Sequence, residues 1–499
     1  MSTTKVTIHR LATGVPGLDE VLGGGLPEFS FNLIAGQPGC GKTTLAHQIM
    51  FALASVERPA LYFTVLGEPP LKMLRYQQQF HFFDNEALNH RVRFINLSEE
   101  AMAGNLDRVL HRIVDEVATH APALVFVDSF RSVVLASEGG GNGHNQLQQF
   151  VQQLGMLMTT WQATTFLIGE YFTETDANPV FTVADGLIWL RQSVHRNSMV
   201  RKMEVLKMRG QPTLAGLHTY RISDAGIQVF APAGLGGPAS ASASAGASVK
   251  ASPVRVSLGV PELDQMLGGG LPRGYSVLVA GPSGSGKSIL AAAFLAEGAR
   301  CGETGVMAAF EQRPNQERNR LLAGLIDSGS VCLLENRPLD LSIDEIVFQL
   351  LGEIHRLKAS RVVIDSLSGF ELALAPTFSD DFRGSLLHLV TALSNAGVTV
   401  LMTSELEDRY TDLRFSPYGS AFLTDAIVVQ RYVEVESRLR RVMAVVKVRA
   451  SAHSDELREY TIDAGGLQIG SQLPDQEGLL GGRPTRKRPP KPPAVAGDA

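Results

Sequence analysis

A phosphate-loop motif occurs twice in this chain, 245 residues apart. Residues 36–44 read GQPGCGKTT and residues 281–289 read GPSGSGKSI, so both fit the pattern G-x-x-x-x-G-K-[ST]. An apolar run comes before each motif (Phe31–Ala35 and Tyr275–Ala280), and a helical pattern follows it. Strand, glycine-rich loop and helix is the context in which such a loop binds nucleotide phosphates. It predicts α/β domains with mostly parallel sheets.

The residue types in each motif predict how ATP and Mg²⁺ would be held. The glycines let several backbone N–H groups face the phosphates, while Lys42 and Lys287 reach the β- and γ-phosphates. The hydroxyls of Thr43 and Ser288 are the predicted Mg²⁺ ligands of the loops. The predicted nucleotide-binding residues of the loops are Gly36, Gly39, Cys40, Gly41, Lys42, Thr43 and Thr44 in the first copy, and Gly281, Ser283, Gly284, Ser285, Gly286, Lys287, Ser288 and Ile289 in the second.

The duplication extends well beyond the loops. GVPGLDEVLGGGLP at 14–27 matches GVPELDQMLGGGLP at 259–272, and two later landmarks also recur in order: ALVFVDS with RVVIDS, and EVLKMRG with AVVKVRA. We therefore predict two tandem domains, residues 1–230 and 254–471. Between them, residues 231–253 are almost entirely Ala, Gly, Ser and Pro, which predicts a flexible linker. The Pro-rich, basic stretch 472–499 is predicted to be disordered and is a candidate docking site for an acidic partner.

Composition narrows the functional classes. A chain of 499 residues with a net charge of −5 has no global basic field, so nucleic acid is not an expected partner. The three cysteines show no disulfide or metal spacing. No signal peptide opens the sequence and no apolar run is long enough to cross a membrane, so we expect a cytoplasmic protein.

Acidic residues at strand ends are the candidates for catalysis. Asp128 and Asp365 each end an apolar strand, where a carboxylate can hold Mg²⁺. The group that activates water is expected at the end of the strand next to the phosphate loop. In the second copy that strand is predicted to be GVMAAFEQ, which ends near Glu311, and in the first copy the corresponding acid is Glu68. We rank Glu311 as the better-placed base and expect one of the two copies to dominate hydrolysis.

A K-x-R pair recurs on a late strand of each copy, as Lys207 with Arg209 and Lys447 with Arg449. A cationic side chain near the γ-phosphate stabilises the charge that develops during phosphoryl transfer, and a neighbouring subunit can supply it. Recurrence in both copies favours this role over a solvated strand face.

Together these residues resemble the KaiC family of RecA-like ATPases, over about residues 8–470. The resemblance implies two tandem RecA-like P-loop domains and a double-ring homohexamer with ATP between subunits. It also implies catalytic glutamates at Glu68 and Glu311. In this family the segments Lys207, Met208, Arg209 and Lys447, Val448, Arg449 would reach the nucleotide of the next protomer. Clock members of the family combine a slow ATPase ring with an autokinase and autophosphatase ring.

The chain departs from the clock pattern at the phosphorylation segment, GSAFLTDAIVVQ. Relative to Thr424 and Asp425, the acceptor positions are Ala421 and Phe422, which carry no hydroxyl. The leading interpretation is therefore an ATPase switch that signals its nucleotide state to partner proteins. A Ser/Thr autokinase using Ser420, Ser416 or Thr424, a RecA-like DNA-binding module and a nucleotide-stabilised scaffold are the alternatives.

Overall fold

The computed structural model divides the chain into two compact units, Met1–Ala241 and Ser242–Ala499. It describes residues 8–65, 70–88, 90–102, 106–130, 143–172, 179–195, 198–231, 254–310, 320–335, 341–375, 381–406, 423–435, 437–463, 465–472, 476–477 and 485–486. The linker prediction falls almost wholly outside these residues, so the domain boundaries drawn from the sequence stay predictions.

The first unit is built on a nine-stranded sheet with the order β11-β10-β9-β8-β3-β7-β6-β4-β5. Its strands are β1 Arg10–Leu11, β2 Leu26–Pro27, β3 Phe31–Gly36, β4 Ala60–Thr64, β5 Val92–Asn96, β6 Leu124–Asp128, β7 Thr164–Glu170, β8 Gly186–His195, β9 Ser198–Met208, β10 Leu217–Ser223 and β11 Gly226–Phe230. Its helices are α1 Leu18–Val21, α2 Lys42–Leu53, α3 Pro70–Gln77, α4 Ser98–Met102, α5 Leu106–His120, α6 Gly143–Thr160 and α7 Pro179–Val183.

The second unit repeats this plan in a nine-stranded sheet with the order β16-β15-β17-β18-β14-β19-β20-β21-β22. Its strands are β12 Arg255–Val256, β13 Leu271–Pro272, β14 Ser276–Gly281, β15 Gly305–Ala309, β16 Val331–Glu335, β17 Arg361–Asp365, β18 Thr399–Glu405, β19 Ala426–Val435, β20 Arg438–Val448, β21 Arg458–Asp463 and β22 Gly466–Gln472. Its helices are α8 Pro261–Met266, α9 Lys287–Arg300, α10 Arg320–Asp327, α11 Ile343–Leu357, α12 Leu367–Ala373 and α13 Phe382–Asn395.

Apolar runs in the central strands explain why each sheet is covered on both faces. Successive residues of β3, Leu33 and Ile34, belong to two different apolar clusters, because side chains alternate between the faces of a strand. The six strands from β8 to β5 pair in parallel and the later strands pair antiparallel. The prediction of two tandem RecA-like α/β domains with mostly parallel sheets is confirmed.

The repeated GVPxLDxxLGGGLP motif has a structural task in both units. Asp19 accepts hydrogen bonds from the backbone N–H and the hydroxyl of Thr13, at 2.9 and 2.7 Å. Asp264 accepts the equivalent pair from Leu258 N–H and the Ser257 hydroxyl. Each aspartate thus ties the segment before the first helix to that helix, ahead of the strand that leads to the phosphate loop.

The C-terminal stretch differs from its predicted disorder in one respect. Two dipeptides, β23 Gln476–Glu477 and β24 Thr485–Arg486, pair antiparallel. Backbone hydrogen bonds between extended dipeptides need no apolar core, which is why composition did not predict them. No helix in the described part of the chain combines the length and apolar character needed to cross a membrane.

Candidate active site

The phosphate loop of each unit joins a central strand, β3 or β14, to the helix that follows it, α2 or α9. Gly41 and Gly286 precede α2 and α9 with φ of 95° and 99°, a region that favours glycine. A Cβ at either position would lie 2.6 Å from the end of an isoleucine side chain, Ile222 or Ile462. The loops are therefore packed against the late strands, and each loop leads into a helix N-terminus, where N–H groups can bind an anion.

Both loop lysines fold back over their own loops. The Lys42 ammonium donates to the carbonyl of Gln37 at 2.8 Å. The Lys287 ammonium donates to the carbonyls of Gly281 and Pro282 at 2.8 and 2.9 Å. Each cation thus lies above the loop, where phosphate oxygens can replace backbone carbonyls as its partners.

The other predicted loop residues differ in burial. Cys40 is buried, which raises the pKa of its thiol, and its carbonyl accepts a hydrogen bond from Tyr220. Ser285, at the same loop position, donates to Gln430 at 2.9 Å. Of the remaining predicted residues, Gly36 and Gly281 end the strands β3 and β14. The others lie on the loop turns (Gly39, Ser283 and Gly284) or in the first helical turn (Thr44, Ser288 and Ile289).

The Asp128 carboxylate is buried and accepts two hydroxyl hydrogen bonds on one oxygen. Thr43 and Tyr62 both donate to Oδ2, at 2.8 and 2.7 Å. Burial raises the pKa of Asp128, and the two hydroxyl donors together with the charge of Lys42 oppose that rise. Burial also raises the pKa of Tyr62, and the negative charge of Asp128 adds to the effect.

In the second unit the corresponding carboxylate, Asp365, is held from the other side. Thr403 on β18 donates to its Oδ1. Asp365 lines a cleft of about 300 Å³ together with the loop, and the residues around that cleft are Ser283, Gly284, Gly286, Lys287, Ser288, Ile289, Ser366 and Glu405.

The donor set fits Mg²⁺ rather than a metal held by protein ligands alone. Within the described ranges, no three His, Cys, Asp or Glu side chains converge on one point. What each unit offers is one loop hydroxyl (Thr43 or Ser288) and one strand-end carboxylate (Asp128 or Asp365). Mg²⁺ is commonly held by one or two such oxygens, with waters and substrate phosphates completing its octahedron.

The predicted bases cannot be placed. Glu68 and Glu311 both lie outside the described residues. The strand expected beside the phosphate loop is also not beside it. β17 and β18 separate β15 from β14, and β6 and β7 separate β4 from β3. After the phosphate loop the chain first forms the outer strands β4 and β5, and only later the strands β6 and β7 that lie between them and β3. Sequence order alone does not reveal such crossovers.

Two acidic residues that the sequence reasoning missed do lie beside the loop strands. Glu170 and Glu405 end β7 and β18, and each is paired in register with the first loop glycine, Gly36 or Gly281. Both side chains are exposed at the carboxyl edge of the sheet. The signal was present, since TTFLIGE and TVLMTSE are late apolar runs that end in glutamate at matching positions.

The K-x-R pairs lie at the opposite edge of each sheet. The Lys207 ammonium donates to the Thr182 carbonyl at 3.0 Å, and Arg209 pairs with Asp185 at 3.0 Å. Burial lowers the pKa of Lys207, and the charge of Arg209 lowers it further. Between the two cations, Met208 is buried.

The second unit repeats this arrangement. The Lys447 ammonium donates to the Thr424 carbonyl at 2.7 Å, and Arg449 pairs with Asp425 at 3.4 Å beside a cleft of about 330 Å³. Val448 is buried between them. Asp425 donates its backbone N–H to the Ser276 carbonyl at the amino end of β14. The five steps from Ser276 to Gly281 therefore place Arg449 and its partner about 17 Å along the strand from the loop.

Two of the three candidate phosphoacceptors of the autokinase alternative, Ser416 and Ser420, lie outside the described residues. Ala421 and Phe422 lie outside them as well. Thr424 is fully buried and lies at the amino edge, away from the phosphate loop of its own unit.

Comparison with known proteins gives one consistent result. The family model described as "ATPase: KaiC" matches residues 11–234 and 256–473. The chain is 28% identical over 493 residues to the circadian clock oscillator protein KaiC of Picosynechococcus sp., covering 96% of this chain and 93% of the relative. It is 27% identical to the KaiC of Rippkaea orientalis and to KaiC 1 of Synechocystis sp., and each alignment covers 96% of this chain and 92% of the relative.

Proposed function

The chain belongs to the KaiC family of P-loop ATPases, and from this premise we propose that it is a hexameric, ATP-hydrolysing switch protein. ATP bound at both units would set the conformation of two rings of subunits, and partner proteins would respond to that nucleotide state. One observation carries the proposal. In each unit, the phosphate loop and the K-x-R pair occupy opposite edges of the same sheet.

This placement favours a nucleotide site shared by two chains. Arg449 pairs with Asp425, about 17 Å along the strand from the loop of its own unit. Lys447 is level with Leu278, about 10 Å along the strand from Gly281. Both cations contact partners at the amino edge, so their side chains point away from that loop. A neighbouring chain that presents its amino edge to the loop can bring both cations to the γ-phosphate. The cleft beside Arg449 gives that edge a concave surface.

The chemistry proposed for each site uses a small set of residues. The loop N–H groups and Lys42 or Lys287 bind the phosphates, and the hydroxyl of Thr43 or Ser288 is held by its strand-end aspartate or lies beside it. Mg²⁺, when bound, neutralises charge on the β- and γ-phosphate oxygens. Glu68 and Glu311 are proposed as the groups that accept the proton of the attacking water.

A complementation experiment tests the shared site. The variants K42A/K287A and K42A/R449A each lack one half of the second-unit site, and both have a silenced first unit. Each alone should hydrolyse almost no ATP. Mixed before ATP is added, they should regain about a quarter of the K42A rate, because intact loops then meet intact cation pairs. No recovery in a mixture that assembles would contradict a site built from two chains.

Assembly itself is tested by light scattering with and without ATP. We expect a hexamer that forms only with nucleotide, since the site and the contact coincide. A monomer under both conditions would rule out the proposed assembly.

The proposed partner contact is the basic stretch 472–499. A pull-down with the intact chain beside one that ends at Gln472 compares them directly. Partners that bind both chains equally would place the contact elsewhere.

Three alternatives have distinct readouts. The autokinase is the second candidate, and phosphopeptide mapping after ATP incubation separates it from a switch without phosphorylation. A DNA-binding module would bind nucleic acid with a steep salt dependence, which a net charge of −5 disfavours. A scaffold with negligible turnover would bind ATP without releasing phosphate.

A further inference from the structure

A glutamate closes the strand beside the phosphate loop in both units. Glu170 and Glu405 are register partners of Gly36 and Gly281. The two residues before them differ, Ile168 and Gly169 in one unit and Thr403 and Ser404 in the other. The acid thus occupies the same place while its strand neighbours change.

Strand alternation shows where the Glu405 side chain points. Residues two apart on a strand share a face, so Glu405 is on the face of Thr403. The Thr403 hydroxyl donates to the Asp365 carboxylate, which places this face toward the proposed metal ligand. One step further out, Glu405 lines the cleft together with Lys287 and Ser288.

In the first unit, Glu170 also lies near the strand-end aspartate, Asp128. Burial is the main cause that raises the pKa of Asp128, and the negative charge of Glu170 is a smaller cause in the same direction. Glu170 therefore lies close enough to Asp128 for their charges to interact, as the position of Glu405 in the second unit would require.

The surroundings of Glu405 also place it near the loop lysine that is proposed to bind the γ-phosphate. The Gly281 carbonyl accepts from both the Lys287 ammonium and the backbone N–H of Leu406, the residue after Glu405. A carboxylate in direct contact with a phosphate would be repelled by it. A water molecule between the two removes that conflict, since it donates a hydrogen bond to the carboxylate and turns its oxygen toward phosphorus.

We propose that Glu405 and Glu170 are further catalytic residues, which orient the attacking water by accepting a hydrogen bond from it. The inference rests on the proposed ATPase function. The water oxygen forms a bond to the γ-phosphorus, and the bond from that phosphorus to the bridging oxygen breaks. ADP leaves with the electron pair. The released proton passes to the proposed base, Glu311 or Glu68, and from there to solvent.

Orienting water and accepting its proton make different demands on the side chain. An amide oxygen still accepts a hydrogen bond, so E405Q should keep most of the turnover, whereas E405A should lose about 10- to 100-fold. At the proposed base the order reverses, because an amide cannot take the proton and E311Q should already be slow. Affinity for ATP should be unchanged or higher in both Glu405 variants, because each removes a negative charge beside the phosphates.

The experiment uses the full chain with the first unit silenced by K42A. Phosphate release at saturating ATP and the dissociation constant of a fluorescent ATP analogue are measured for E405A, E405Q and a control, E335A. Glu335 is exposed and ends β16 at the same edge, four strands from β14. The control should stay within about twofold of the parent, as surface substitutions do. Light scattering with ATP checks that each variant assembles.

The mirrored set, E170A and E170Q in a K287A background, tests the first unit. A slow E405A that binds the analogue normally, with E405Q near the parent rate, supports the inference. A parent-like rate for E405A, or equal losses in rate and binding, would overturn it. If the wild-type chain itself releases no phosphate, the proposed ATPase function fails and the inference fails with it.

Discussion

The two units share a backbone plan but hold their strand-end aspartates from opposite sides. In the first unit, Tyr62 on β4 donates to Asp128, whereas in the second Thr403 on β18 donates to Asp365. Register places Met307 where Tyr62 would be, and Ile168 where Thr403 would be. A strand-end carboxylate thus receives a hydroxyl hydrogen bond in both units, from different neighbouring strands.

A second difference lies beneath the loops. His47 on α2 is fully buried, and its ring lies 4.6 Å from that of Tyr62. Burial lowers the pKa of His47 to about 3, so this ring stays neutral. The equivalent position on α9 is Ala292. The comparison teaches that duplication has kept the strands and loops while the side chains below them diverged, so the two sites need not turn over at equal rates.

The loop lysines should produce the largest difference. Replacing Lys42 or Lys287 by alanine removes a positive charge that stabilises the transferring phosphoryl group, and we expect at least about 100-fold loss at the altered unit. The residual phosphate release of K42A then measures the second unit, and that of K287A the first. Equal rates of phosphate release in K42A and K287A would show that the two units hydrolyse ATP equally fast, contrary to our expectation.

Replacing the proposed bases should give the second-largest difference in turnover between the two units. We expect E311Q to lower total turnover by more than about 10-fold, the scale of a lost general base, and E68Q to lower it less. Steady-state phosphate release at saturating ATP measures both. If E68Q removed nearly all activity and E311Q none, our ranking of the two units would be wrong.

The tyrosine hydroxyl should have a smaller effect that depends on pH. The pKa of Asp128 is raised above its ordinary value of 3.8, so the stability this group gives is present below that value and lost as pH rises through the raised one. Tyr62 opposes the loss by stabilising the ionised form. We expect Y62F to cost about 1.5–3 kcal/mol of unfolding free energy at neutral pH, and less as pH falls toward 3.8.

Thermal unfolding followed over a pH series measures this effect. T403V is the matched variant, since it removes the donor to Asp365 and keeps the side-chain shape. It should destabilise the protein by a similar amount at neutral pH. A cost for Y62F that does not change with pH would show that the hydroxyl matters for packing and not for the carboxylate charge.

Phosphorylation should give the smallest signal, and only the second unit carries the relevant segment. Ala421 and Phe422 cannot accept phosphate, so we expect little or no labelled phosphate on the wild-type protein while ATP is hydrolysed. A421S/F422T restores two hydroxyls and should create an acceptor if the second site is competent. Mass spectrometry of both proteins decides. Stoichiometric phosphate on wild-type Ser420 would promote the autokinase to the first choice.

The sequence was enough to predict the fold class, because the strand, loop and helix of the phosphate motif are contiguous and occur twice. The ends of β6 and β17 at Asp128 and Asp365 follow equally from apolar runs that stop at a carboxylate. The order of the strands in each sheet could not be predicted from the sequence, because it depends on crossovers between distant segments. Glu170 and Glu405 were missed for that reason, and so was the donation from Tyr62 and Thr403, which joins residues far apart in the chain.

The opposite placement of loop and cation pair has a consequence for symmetry. If the site is shared between chains as proposed, its two halves lie at opposite ends of one sheet, so a twofold dimer, in which both chains have the same surroundings, would leave every site incomplete. The proposed contact would be heterologous, and such a contact ends either in a closed ring or in an open filament. In an open row, one terminal chain keeps a loop without cations and the other keeps cations without a loop. Closure of a ring would remove both unmatched ends, so the angle between successive chains, more than the strength of any single contact, would set the number of subunits.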